Sequence, residues 1–365
     1  MKFCIITHTK HHLSNNEVFA YAPYVREMNL WLKHVDEVEI VAPKTQNNSL
    51  IFKAYKHDDI KLTEVDSFSL LGILAWYKTL FILPKILYKI YKAMKQADHI
   101  HLRCPGNMGL LGCLVQILFP DTPKTVKYAG NWNPNAKQPW SYKLQKRILS
   151  NTALAKNCSV LVYGEWPKQT KNIKTFFTAT YFEIEKEPIK ERDYSSTLNF
   201  VFVGTLSKGK QPLRAIQLVE DLVKSGREAS LEIYGEGDQR DSLVKYINQN
   251  NLSDYIILKG NQSAEVIKSA YNTSHFLILP SKSEGWPKVV AEAMFWGCIP
   301  ITTPVSCVPW MLDYGKRGFI IDSNFKLKSI VENTKHLKNM SHLASAWSRT
   351  YTLDKLELEI KKLLF

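Results

Sequence analysis

Two glutamates eight positions apart, Glu284 and Glu292, bracket the run Gly285-Trp286-Pro287-Lys288-Val289. Residues 276–280 read as a buried strand, and 281–285 as the loop leaving its carboxyl end. Residues 287–296 read as a helix with proline in its first turn, where a missing amide proton costs nothing. Such a helix start aims its unpaired backbone amides at the space above a sheet, a natural seat for a diphosphate. Glu292, farther along the helix, is placed to accept the two hydroxyls of a ribose, as acidic residues do in other nucleotide sites. Glu284, ahead of the helix, reaches past the phosphates toward a sugar hydroxyl.

These side chains need a scaffold that leaves loops at the carboxyl ends of its strands. Strand-like runs at 2–7, 38–42, 99–102 and 125–128 alternate with helical patterns at about 20–34, 68–96, 107–118 and 140–155. A second set follows, with strands at 199–203, 230–234, 255–259, 275–279 and 299–302. Its helices fall near 211–225, 239–250, 264–272 and 287–296. Continuous apolar strands alternating with helices imply parallel sheets covered on both faces. Two such sets predict an α/β chain of two doubly wound domains. The charged, proline-broken stretch at 180–197 marks the division, with one domain at 1–185 and the other at 186–344. A terminal helix, about 345–365, is expected to pack back on the first domain.

The chain has 365 residues, of which 45% are hydrophobic, enough for two cores and against a disordered chain. Its net charge of +14 is unevenly placed: residues 1–180 hold 24 lysines and arginines against 12 acids, residues 181–365 hold 24 against 22. The basic half is expected to meet something anionic, whether nucleic acid, a bilayer or a phosphorylated molecule. Six cysteines without CxxC or disulfide-like spacing suit a reducing compartment. The start reads as a first strand, not a signal peptide, and no apolar stretch is long enough to span a bilayer. A cytoplasmic protein is expected, either free or peripheral on the inner face of the plasma membrane.

The run from Glu284 to Glu292, with Glu-Gly-x-Pro, Glu-Ala-Met and the downstream glycine and proline (Gly297 and Pro300), resembles the E-x7-E motif of family-4 (group 1) glycosyltransferases. The resemblance implies the GT-B fold, two facing Rossmann-like domains with a cleft between them, and sugar transfer with retention of anomeric configuration. It extends over most of residues 199–322. Gly204-Thr205-Leu206 followed by Lys210 resembles the family's Gly-Arg-Leu…Lys block, with Lys210 then set against the leaving diphosphate and Lys208 as a nearby competitor. Thr205 stands where the family has arginine, and Lys288 is the candidate to compensate. Tyr234-Gly235-Glu236-Gly237 resembles the turn that edges the nucleotide pocket. The resemblance therefore implies a donor site of Gly204, Thr205, Lys210, Gly235, Glu284, Gly285, Trp286, Pro287, Lys288, Val289 and Glu292, with Glu284 and Lys210 catalytic.

The first domain is then the acceptor domain. The family carries histidine-glycine at the end of a middle strand; here the run is Val126-Lys127-Tyr128-Ala129-Gly130-Asn131-Trp132, with alanine in the histidine position. Lys127, Asn131 and Trp132 are the nearest acceptor-side candidates, and Asn131 is the one taken as catalytic. His8 lies with His11 and His12 in the loop after the first strand. Arg103 reads either as an anion contact or as a surface arginine. No metal and no other cofactor is expected: the loop histidines lack a neighbouring cysteine or carboxylate, and no Asp-x-Asp occurs.

Residues 73–94 add a helix with one apolar face (Trp76, Leu80, Leu83, Leu87, Ile90, Met94) and a basic side (Lys78, Lys85, Lys89, Lys92), kinked or restarted at Pro84. It suits either core packing or an anionic membrane surface. The expected partners are a nucleotide-sugar donor, a glycan or lipid-diphosphate-linked acceptor and such a membrane surface, without nucleic acid. Bacterial surface-polysaccharide synthesis is the implied setting. A sugar-nucleotide epimerase on the same fold, or a non-catalytic nucleotide-sugar or anionic-surface binder, are the alternatives. An epimerase needs acid–base groups against the donor sugar, and a binder has no use for the sugar-facing glutamate.

Overall fold

The structure, a computed structural model, describes residues 1–45, 52–67 and 73–365, together with the side chains of all of these except 73–80. Contacts divide the chain into an amino-terminal unit, Met1–Phe176 with Leu356–Phe365, and a carboxy-terminal unit, Phe177–Lys355.

Strands of the amino-terminal unit are β1 (Lys2–Ile6), β2 (His11–Ser14), β3 (Glu17–Tyr21), β4 (Glu37–Pro43), β5 (Phe52–Ala54), β6 (Ile60–Val65), β7 (His99–Cys104), β8 (Lys124–Tyr128), β9 (Cys158–Tyr163) and β10 (Ile173–Phe176). Seven form a parallel sheet in the order β10-β9-β8-β7-β1-β4-β6. Its helices include α1 (Ala22–Leu32), α2 (Ile73–Lys95), α3 (Asn107–Val115) and α4 (Trp140–Leu149). Residues Phe3 to Ile6 on β1 and Ile100 and Leu102 on β7 are fully buried, which is why these strands read as unbroken apolar runs. Each such side chain contributes about 1.5–3 kcal/mol on burial.

The chain winds outward from β1 through β4 to β6, then returns beside β1 at β7 and winds the other way. The carboxyl ends of β1 and β7 are therefore the switch point of this sheet, where open α/β sheets take ligands. The remaining strands, β2, β3 and β5, form a small antiparallel sheet. His11 and His12 thus lie on a strand, not in the expected loop.

Helix α2 runs through Pro84 as one element, so of the expected kink or restart there is no restart. Ile86, Ile90, Ala93 and Met94 are its buried stripe, while Phe81 and Tyr88 are 85% and 64% exposed. The expected start at 68, and the side chains of Trp76, Tyr77, Lys78 and Leu80, lie outside the described residues. Among the described residues, no helix is long and apolar enough to cross a membrane. All six cysteines are buried and free.

The carboxy-terminal unit holds β11 (Leu198–Val203), β12 (Ala229–Tyr234), β13 (Ile256–Gly260), β14 (Phe276–Leu279), β15 (Ile299–Thr302) and β16 (Phe319–Ile320), all parallel, in the order β13-β12-β11-β14-β15-β16. Its helices include α5 (Pro212–Lys224), α6 (Arg240–Gln249), α7 (Ala264–Thr273) and α8 (Lys288–Phe295). The order reverses between β11 and β14, which pair at Phe200 with Phe276 and at Val201 with Leu277.

The division at Phe176 falls earlier than the expected 185, because the charged stretch after it is anchored to the carboxy-terminal unit. Arg192, buried despite its charge, donates from Nε to Ser274 O at 2.7 Å and from Nη2 to Tyr271 O at 3.0 Å and Trp296 O at 2.8 Å. These carbonyls end α7 and α8, where a cation satisfies otherwise orphaned acceptors. Residues 345–355 also remain with this unit: Arg349 Nε donates to Phe295 O at 3.0 Å, and Trp347 and Tyr351 stack in its aromatic cluster. Only residues 356–365 join the amino-terminal unit.

Replacing Arg192 with alanine strips three buried carbonyls of a charged donor and is expected to cost about 3 kcal/mol. Urea unfolding monitored in the carboxy-terminal unit checks this; a loss below about 1 kcal/mol would contradict the anchor.

Candidate functional site

The reversal between β11 and β14 brings two loops together. Gly204-Thr205 leave β11, and residues 281–285 leave β14. Lys282 N donates to Gly209 O at 2.8 Å, tying one loop to the other. Across this tie Lys210 Nζ lies 2.5 Å from Glu284 Oε1, with the carboxylate nearly buried and the lysine partly so. Lys210 and Gln211 both donate their amides to Ser207 O at 3.1 Å, and Gln211 takes a left-handed φ of 53° that starts α5. That turn makes Lys210 the partner of Glu284; Lys208 is exposed and makes no such contact.

The loop carrying Glu284 is held from beneath. Thr303 Oγ1 donates to Ser281 O, and Ser306 Oγ and Cys307 Sγ both donate to Gly285 O, at 2.9 and 3.3 Å. Pro287 precedes α8 as its cap residue, one position earlier than the sequence reading has it. No side chain caps this helix start, and no acid lies in its first turn. An anion would meet the positive end of the helix there, beside Lys288 and Val289.

Trp286 lies beside Lys288 and Glu292, with its side chain packed inward. Its ring is turned into a cluster with Trp310, Trp347 and Tyr351, at centroid distances of 6.3, 6.2 and 5.9 Å, and is 7% exposed. It anchors the loop. Glu292 has two hydroxyl donors already: Thr180 Oγ1 at 2.7 Å on Oε1 and Tyr271 OH at 3.3 Å on Oε2. Sequence reading missed both partners, which lie 112 and 21 positions away and carry no spacing signal.

The Gly-x-Gly turn has a packing role. A Cβ on Gly235 would stand 2.0 Å from Gly204 O, and one on Gly237 2.4 Å from Leu206 O. The close approach lets Gly204 N reach Tyr234 O at 2.9 Å, Leu206 N reach Glu236 O at 3.0 Å and Gly235 N reach Gly260 O at 2.8 Å. Gly235 thus supports the loop of Gly204 and Thr205, the latter exposed.

The acceptor-side candidates of the amino-terminal unit do not converge. Arg103 is neither a surface residue nor a free anion contact: it is paired with buried Glu27 at 2.6 Å and lies over the Tyr24 ring. Lys127 is buried on β8, with Nζ 4.4 Å from the Phe176 ring and 5.0 Å from that of Tyr163. Trp132 is buried edge-on to Tyr128 at 4.7 Å. Asn131 remains on the loop leaving β8, its Oδ1 accepting from Asn133 N at 2.8 Å.

His8 stays at the switch point, following β1. A Cβ on Gly106, after β7, would stand 3.0 Å from its Nδ1. Burial, and then the charge of Arg103, lower its pKa below the ordinary histidine value. His11 is buried, donating from Nδ1 to Thr9 O at 2.8 Å and accepting at Nε2 from Tyr55 OH at 2.7 Å; burial pushes its pKa down to about 4. His12 stacks on Phe19. The three rings are thus engaged separately, and among the described residues no group of three or more histidines, cysteines and acids is arranged to hold a metal ion.

Residues 183–351 match the family model described as glycosyl transferases group 1. An uncharacterized glycosyltransferase of Methanocaldococcus jannaschii is 24% identical over 199 residues, covering 53% of this chain and 54% of its own. The capsular polysaccharide biosynthesis glycosyltransferase CapM of Staphylococcus aureus is 28% identical over 204 residues, covering 53% and 49%. The chain spans about half the length of these curated relatives. Anabaena HepE, solved in complex with UDP, superposes with a TM-score of 0.68 at 13% identity, covering 100% of this chain and 99% of its own. That likeness shows the fold, GT-B, and the fold alone.

Replacing Gly235 with alanine forces two loops of the site apart. A loss of about 2 kcal/mol or more in stability is expected. Thermal unfolding of the variant measures it, and an unchanged melting temperature would contradict the packing role.

Proposed function

We propose that this chain, of which residues 183–351 match the model of the group 1 glycosyl transferases, moves a sugar from a nucleotide-diphosphate donor to a glycan acceptor, with retention of anomeric configuration and without a metal. One observation carries the reading: Lys210 and Glu284 in contact at the switch point of the carboxy-terminal sheet, beside an uncapped helix start. The diphosphate binds against the start of α8, with Lys210 and Lys288 supplying positive charge. Glu284, held by Lys210, accepts a hydroxyl of the transferred sugar. Glu292 accepts the ribose hydroxyls, which would replace the Thr180 and Tyr271 hydroxyls it now receives.

In the transfer, the acceptor oxygen bonds to the anomeric carbon as the bond from that carbon to the phosphate oxygen breaks on the same face. The acceptor proton passes to the departing phosphate. No strong base is required, which accommodates alanine at position 129. Lys210 neutralises the charge that grows on the leaving group, the kind of stabilisation that contributes most when it is preorganised.

The relatives support the glycan setting: CapM is named for capsular polysaccharide biosynthesis, and a Bacillus subtilis relative is a poly(glycerol-phosphate) alpha-glucosyltransferase. The proposed workplace is the cytoplasm, at the inner face of the plasma membrane, for an acceptor that is a glycan or a lipid-diphosphate-linked glycan. In support, α2 turns Phe81, Tyr88 and Tyr91 outward together with Lys85, Lys92 and Lys95, an aromatic and basic face suited to an anionic bilayer.

Glu284→Gln is expected to lower transfer by about a hundredfold or more with unfolding unchanged. Lys210→Ala should weaken binding of the nucleoside diphosphate product as well as turnover. Product release assays decide: normal turnover by Glu284→Gln, or unaltered product affinity in Lys210→Ala, would overturn the roles. Donor isomerisation without transfer would favour the epimerase. Vesicles of phosphatidylglycerol should co-sediment the protein at low salt and release it at high salt, and Phe81→Ser with Tyr88→Ser should lose this binding. Absence of binding at low salt would remove the membrane from the account.

A further inference from the structure

Between Asp121 and Glu165 the sequence has no acidic residue, yet it holds seven lysines and arginines. The structure accounts for three of them. Lys124 donates to the Phe119 and Thr122 carbonyls, Lys127 lies over two rings, and Lys156 meets Asp121 at 3.5 Å. The other four, Lys137, Lys143, Lys146 and Arg147, lie on the loop leaving β8 and on α4, and none has a carboxylate partner among the described residues.

Lys146 is the inner member. It is half-buried, with Nζ 3.2 Å from Asn133 O, 5.4 Å from the Trp132 ring centroid and 5.9 Å from that of Tyr128. The loop beneath it is stiff. Asn133 N bonds Asn131 Oδ1 at 2.8 Å, Asn135 N bonds Asn133 Oδ1 at 2.9 Å, and Gly130 sits so close to Pro105 that a Cβ would come within 2.8 Å of its ring. Helix α4 begins after Pro139 with no side-chain cap and no acid in its first turn. Trp140, its first residue, is 56% exposed.

We propose that this corner, the loop 129–139 with α4, is a phosphate-binding subsite, with Lys146 as the inner cation and Lys143 and Arg147 as outer ones. An ammonium taken out of water without a counter-charge is costly, and one side of this ammonium is met only by ring faces and a single carbonyl. Lysine has three N–H donors, so two remain for an incoming oxygen. The corner stands at the carboxyl end of β8, the side on which a doubly wound sheet takes ligands, and the exposed indole of Trp140 offers a flat apolar face for a sugar ring attached to the phosphate.

Burial alone lowers the Lys146 pKa, to about 8, and no neighbouring charge contributes. A bound phosphate must therefore raise it, whereas a neutral sugar has no charge with which to do so. That the phosphate belongs to a glycosyl acceptor rests on the function proposed above; the anion site does not.

The test is a titration of the full chain carrying ¹³C-methylated lysines, with the Lys146 signal identified by its absence in Lys146→Arg, which keeps charge and fold. Inorganic phosphate should raise the Lys146 midpoint by about one to three pH units, and glucose should leave it in place. Lys143→Gln should weaken the phosphate effect several-fold. A shift with phosphatidylglycerol vesicles but not with soluble phosphate would also support the subsite and assign the phosphate to a lipid headgroup. A midpoint moved by neither overturns the proposal. Because the readout is binding in the amino-terminal unit, it stands or falls separately from sugar transfer and from Glu284 and Lys210.

Discussion

The contact between Lys210 and Glu284 depends on one topological constraint: β11 and β14 lie side by side although two strands and three helices separate them in the chain. At this reversal the loops leaving the two strands stand in neighbouring positions, one carrying the lysine and the other the glutamate. The rest of the carboxy-terminal unit serves to hold those loops still. Gly235 and Gly237 have no side chains because the backbone of the lysine loop occupies that space. Trp286 fills an aromatic cluster so that the residue two positions before it cannot drift. A charge pair this close, with its carboxylate nearly buried, is maintained by geometry on every side.

Much of this was legible in the sequence because it rests on local signals. Unbroken apolar runs such as Phe276 to Leu279 can be strands only in a doubly covered parallel sheet, and proline followed by a helical pattern marks a helix start. The glutamate spacing places two carboxylates on one loop–helix segment, and Lys210 follows its glycine at the offset the family resemblance requires. What was not legible depends on partners distant in the chain. Nothing near Arg103 announces Glu27 as its counter-ion, and nothing near Glu292 points to Thr180. Nothing near Trp286 points to the cluster its ring joins, which is formed by residues downstream. The stretch after Phe176 looks like a linker by composition, while Arg192 within it is among the most thoroughly hydrogen-bonded side chains of the unit. The strand of His11 and His12 escaped notice because its polar residues give no alternating apolar pattern, and its stability comes from β3 and from the Tyr55 contact.

The amino-terminal unit uses its charge differently. Arg103 and Glu27 neutralise each other inside the fold, so the switch point of that sheet presents the neutral imidazole of His8 and not a free guanidinium. The excess positive charge is displaced to α4 and the loop before it, and to the outer face of α2. An overall charge balance read from the sequence therefore describes the unit correctly but misidentifies which cations are available. Those that remain unpaired, and not those most prominent in the sequence, are the ones with positive charge left for a ligand.

In this reading the Lys210–Glu284 site binds a nucleotide sugar as the donor of a transfer reaction. The most direct test is calorimetric titration of the full chain with a panel of UDP-, GDP- and ADP-sugars, without added metal. Saturable, one-to-one binding of at least one nucleotide sugar, competed by its nucleoside diphosphate, is expected. Failure of every member of the panel to bind would contradict it.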